Sequence, residues 1–169
     1  MATEIIGKVK TVSVTKVITT GGAYSALDVV SNSTSAGTAW TFSGIARTAG
    51  AGGYITKVHV ISETTNITPR LVLFIFTATP TCALNDNAAN TALLHADLAD
   101  YVGKVDLPAM EDIGTGDSEA TATPSTTGNL PLAFTCAAAD DLYGVLATRD
   151  AFTQTAGDDM VVRVTVEQY

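Results

Sequence analysis

The sequence predicts an all-β domain, an antiparallel double-sheet sandwich with one short helical excursion. Three observations lead there. Short runs of β-branched and aromatic residues alternate with polar ones, the period of a half-buried strand. Clusters of Gly, Ser, Thr and Asn punctuate these runs. No rhythm of strand and long helix marks a parallel sheet, and no repeat of fixed period occurs.

Taken in order, the first strand falls over residues 8–19, with Val9, Val12, Val14, Val17 and Ile18 among Thr and Lys, and Gly21-Gly22 turns the chain. A short strand over 27–30 precedes a Ser/Asn/Gly loop, and Trp40 and Phe42 alternate with Thr41 and Ser43. Residues 54–63 alternate, with Tyr54, Thr56, Val58 and Val60 on one face and Ile55, Lys57, His59 and Ile61 on the other. Residues 71–77 are apolar on both faces, which predicts a strand covered on both sides at the centre of the core. Asn85-Asp86 can cap a short helix over 88–101, where Leu94, Leu98 and Tyr101 share a helical face; the segment also reads as a crossing loop. Residues 112–128, rich in Gly, Ser, Thr and Asp, predict a long exposed loop. Strands over 130–135, 142–149 and 160–167 close the domain, giving eight or nine strands in a jelly-roll-like sandwich.

A chain of 169 residues suits one domain, here 11–169, preceded by an N-terminal arm over 1–10. Charged residues are 15%, against an ordinary level of about a quarter; small polar residues take their place, as on a surface partly covered by neighbours. The net charge of −8 argues against non-specific binding to nucleic acid. Residues 1–72 carry six basic and three acidic groups, and residues 73–169 three basic and fourteen acidic. No run is long and apolar enough to span a membrane, and the first residues lack the apolar core of a signal peptide, so a soluble protein made in a cytoplasm is expected.

Candidate chemistry is sparse. Cys82 and Cys136 lack metal-ligand spacing; they could pair in a disulfide, but free buried thiols are the favoured reading. His59 and His95 have no marked nucleophile beside them, so no catalytic, cofactor or metal residue is assigned. Asp112, Asp117 and Glu119 sit in a Gly-rich stretch with the wrong offsets for an EF-hand; solvated turns are favoured over a calcium site. Gly50 to Gly53 precede a strand and lack a phosphate-loop lysine.

The run Leu142-Tyr-Gly-Val-Leu, then Arg149-Asp-Ala-Phe-Thr, then the strand from Met160, together with Leu71-Val-Leu-Phe-Ile-Phe leading to Pro80 and Asn85-Asp-Asn-Ala, resembles the small jelly-roll structural proteins of tailed bacteriophages, the capsid decoration (cement) proteins. The resemblance implies a virion protein, made in the host cytoplasm and added to the outside of a phage head. Its partners would be the major capsid protein and two further copies in a homotrimer, with no cofactor, nucleic acid or membrane. Contacts are expected from the arm over 2–10, the 85–101 excursion and the 112–128 loop. Lys8, Lys10 and Lys16 would face the shell, with Asp112, Asp117 and Glu119 as further contacts. A tail, baseplate or connector component is the alternative, followed by a carbohydrate-binding jelly roll presenting exposed Trp or Tyr.

Overall fold

The computed structural model describes residues 8–112, 114–124 and 129–169. Among these, thirteen strands form: β1 (Lys8–Val17), β2 (Gly22–Tyr24), β3 (Val29–Val30), β4 (Trp40–Phe42), β5 (Gly52–Ser62), β6 (Arg70–Phe76), β7 (Tyr101–Ala109), β8 (Glu111–Asp112), β9 (Ser118–Ala122), β10 (Leu132–Thr135), β11 (Leu142–Thr148), β12 (Phe152–Gln154) and β13 (Asp159–Gln168). The larger sheet runs β1-β13-β5-β9-β8, with β10 also on β5. The smaller runs β3-β11-β6-β7, with β4 also on β11, and β12 pairs with β2 in a ribbon. All pairs are antiparallel.

When the β2–β12 ribbon is set aside, β3 and β4 are taken as one interrupted strand, and β8 to β10 as another, eight strands remain. One sheet then orders them first, eighth, third, sixth, and the other second, seventh, fourth, fifth. That order is a jelly roll's. Strands from the two halves of the chain interleave through most of both sheets (β1-β13-β5-β9 and β3-β11-β6), so the charge asymmetry along the sequence does not become a simple division in space.

The core lies between the sheets. Met160, Val162, Val164 and Val166 of β13 are fully buried and share one cluster with Leu71, Leu73 and Ile75 of β6. β5 joins them through a bulge: Thr165 pairs with Lys57 and Val166 with Ile55, which leaves Thr56 without a partner. An extra residue reverses the alternation beyond it. Ile55, Val58 and Val60 are therefore all buried, whereas unbroken alternation placed Ile55 and Val58 on opposite faces.

β6 is covered on both sides, as its composition predicts. Its second face presents Phe76 to a smaller cluster with Val29, Cys82 and Val145, against which Leu84, Leu94 and Tyr101 pack. The cover is the segment 77–100, and here the expected helix is absent. Only a single 3-10 turn forms, at His95–Asp97. Asp86 caps no helix: buried, it accepts hydrogen bonds from Tyr24 Oη (2.7 Å) and the Ser31 N–H (2.8 Å). Asp97, also buried, accepts from Thr81 N–H (2.8 Å), Thr81 Oγ1 (2.7 Å) and Cys82 N–H (3.1 Å). Satisfying these backbone donors from side chains holds an irregular segment flat on the sheet where a helix would have satisfied its own. Gly37 admits the segment closely, since a Cβ there would stand 2.0 Å from the Leu84 carbonyl oxygen.

Two further expectations change. The loop over 112–128 contains β9, whose Ser118, Ala120 and Ala122 are buried; small residues hide this strand from a hydrophobicity reading. Lys8, Val9 and Lys10 belong to β1, not to an arm. Residues 1–7, 113 and 125–128 lie outside the described residues.

Candidate interaction surface

The six residues expected to meet a partner do not form one patch. Lys8 opens β1 opposite Gln168, while Lys16 sits opposite Met160 near the other end, ~26 Å away at ~3.3 Å per residue. Asp112 and Asp117 are exposed near β8 and β9, on the far side of the larger sheet from β1. Asp112 Oδ1 accepts the Gly114 N–H at 3.1 Å. Glu119 is half-buried on β9 and lies 2.5 Å from His59 Nε2. Lys10 is half-buried, its ammonium donating to the Gly44 carbonyl.

Lys16 overturns its expected role. It is buried, and its ammonium turns inward at the open edge between β1 and β4. There it donates to Ser31 Oγ (3.2 Å), Thr38 Oγ1 (3.1 Å), Asn32 Oδ1 (3.4 Å) and the Thr38 carbonyl, and lies 4.9 Å from the Trp40 ring centroid. Burial pushes its pKa down to about 8, against an opposing pull from Asp86. A groove of about 450 Å³ runs along this edge. A charged side chain pointing inward at an edge strand disfavours the addition of another strand there.

A further surface, not singled out in the sequence, is the outer face of the larger sheet. Cross-strand partners share a face, so the register sets out its rows. At one end Val9, Glu167, Tyr54 and Ala133 stand side by side, with Tyr169 beyond. Next come Thr11, Thr165 and Lys57, then Ser13, Arg163, His59 and Thr121. Thr15, Val161, Ile61, Glu119 and Glu111 follow. None of these positions is buried, in contrast to the outer face of the smaller sheet under its 77–100 cover. Val9 is 65% exposed, Tyr169 53% and Tyr54 43%, and the two tyrosines meet edge to face at 5.8 Å. The face therefore grades from an aromatic end, where Glu167 stands between Val9 and Tyr54 and accepts from Tyr169 Oη at 3.2 Å, through a basic belt to an acidic corner. The outward positions of β1 carry no charge at all, which was visible in the sequence; that Tyr54 shares their face required the bulge.

The other candidates have structural roles. Trp40 is buried with Nε1 donating to the Val30 carbonyl at 3.0 Å. Cys82 and Cys136 are free and buried, and burial pushes both thiols up to about 11, with Asp97 adding to the first and Asp140 and Asp141 to the second. Neutral thiols are poor nucleophiles. His95 lies exposed on the 3-10 turn. Among the described residues no group of three or more His, Cys, Asp and Glu side chains converges as metal ligands would, and no helix is long and apolar enough to cross a membrane. No protein-family model matches the chain, and no curated protein matches it.

Proposed function

We propose that the chain is a virion structural protein, a capsid decoration (cement) protein that docks on the outside of a phage head, as a homotrimer, through the outer face of its larger sheet. The carrying observation is the row of Val9, Tyr54 and Tyr169, exposed together at one end of a sheet face. Aromatic side chains are enriched at the cores of protein interfaces, where they contribute much area at little entropic cost. The basic belt of Lys57 and Arg163 beside it suits an acidic strip on the shell. Many such contacts, weak singly, sum over a lattice.

The test mixes purified protein with empty heads and images them. Saturating density at three-fold or quasi-three-fold positions, lost in Tyr54→Asp, is the expected result. Density on tails or baseplates instead would move the protein to another virion part. A monomer that ignores heads and binds a glycan array would replace the proposal with a carbohydrate-binding module.

A further inference from the structure

Lys16 and Asn32 bring an amine and an amide together where the two sheets meet at their open edge. Lys16 lies on β1, the edge strand of the larger sheet, and Asn32 follows β3, an edge strand of the smaller. Lys16 Nζ stands 3.4 Å from Asn32 Oδ1, hence within about one further C=O bond length of Cγ. Donors crowd that oxygen: the Thr38 N–H at 3.2 Å, Thr38 Oγ1 at 3.1 Å and Ser31 Oγ at 3.2 Å. Donors fixed around a carbonyl oxygen stabilise the negative charge that grows there when a nucleophile adds to its carbon. The Trp40 ring closes the apolar side of the site.

We propose that Lys16 and Asn32 join in an intramolecular amide bond. The neutral Nζ adds to Cγ, and Oδ1 takes up charge among its donors. One proton is lost from the attacking nitrogen, where the Ser31 and Thr38 hydroxyls stand within hydrogen-bond reach of Nζ to accept it, and one is gained at Nδ2. The Cγ–Nδ2 bond then breaks and ammonia leaves. An amine and a primary amide become a secondary amide and ammonia, with no oxidant or co-reactant. Burial supplies the neutral amine, since a pKa of about 8 leaves a useful fraction deprotonated in mild base. Positioning supplies the rest, because a nucleophile held against its electrophile reacts as if highly concentrated. The product ties β1 to the chain leaving β3 and closes the sandwich at its open side.

The same oxygens would satisfy an unreacted buried ammonium, and mass separates the two. Folded wild-type protein is incubated at a pH above the Lys16 pKa, then examined by intact-mass spectrometry and peptide mapping. The expected result is a chain lighter than its sequence by one ammonia. Peptides containing Lys16 and Asn32 should be joined, no tryptic cut should follow Lys16, and the link should resist hydroxylamine. Lys16→Arg and Asn32→Ala should keep their full sequence mass. Wild-type protein that keeps its full mass while folded overturns the proposal. So does an ammonia loss that persists in Lys16→Arg and is cleaved by hydroxylamine, which is succinimide formation at Asn32-Ser33.

Discussion

Replacing Asp97 with Ala tests the claim that a buried carboxylate, standing in for a helix, holds the 77–100 cover on the smaller sheet. Asp97 receives three hydrogen bonds, two from backbone N–H groups and one from a hydroxyl, in a segment whose 3-10 turn is three residues long. Each bond to a charged acceptor is worth about 1.5–3 kcal/mol taken singly, and truncation leaves the Thr81 and Cys82 N–H groups unpaired. The bonds share one acceptor and do not add, so the expected cost is about 3–5 kcal/mol. Asp97→Asn keeps an oxygen for Thr81 but turns an amide nitrogen toward the Cys82 N–H; a smaller cost, about 1–3 kcal/mol, follows. The same contact sets a pH dependence. Burial alone would raise the Asp97 pKa, but the bonds from Thr81 and Cys82 outweigh it and hold the carboxyl below its ordinary value. The unfolded chain thus binds this proton more tightly. The stabilisation is complete above the unfolded pKa, about 3.9, and drains away as pH falls through that value toward the folded one. Urea unfolding gives the total, and hydrogen exchange by segment gives the location. Protection should fall first over 77–100 while β13 stays protected. A loss below about 1 kcal/mol, or one spread equally over both sheets, would refute the reasoning.

Other consequences are open to direct measurement. Both cysteines should resist a thiol reagent in the native protein and react together once urea unfolds it; rapid native labelling would contradict their burial. Leu73→Ala removes a fully buried side chain between the sheets and should cost about 2–5 kcal/mol in chemical denaturation. Gly37→Ala places a methyl against the Leu84 carbonyl and should cost about 1–3 kcal/mol, with exchange rising in 77–100. Tyr54→Ala removes one ring of an exposed pair and should cost no more than about 1.5 kcal/mol in stability while abolishing docking.

Most of the fold was legible because its long strands announce themselves. β13 and β6 alternate or run apolar as expected, and residues 142–149 cover β11, so residue pattern alone centres the core correctly. The misses share a physical cause. β9 buries serine and alanine, which carry no hydrophobic signal, and a Gly/Asp-rich turn precedes it. The bulge at Thr56 shifts the whole later half of β5 by one face, and no residue type marks it. The 77–100 segment holds leucines at helical spacing, yet two buried aspartates from its own sequence pin it as an irregular cover. The proposed docking face was the least legible part. Lysines in β1 look exposed in a sequence, but at an edge strand they can reach inward, and Lys16 does. The uncharged positions between them, Val9 to Val17, are the ones that face out.

The most direct test of the docking account is side-chain footprinting of the protein alone and bound to empty heads. Protection should concentrate on Val9, Tyr54 and Tyr169 and extend along Lys57 and Arg163, with the 77–100 cover and the turn around Asp117 unchanged. Protection at the cover or at that turn, with Tyr54 and Tyr169 still fully reactive, would contradict it.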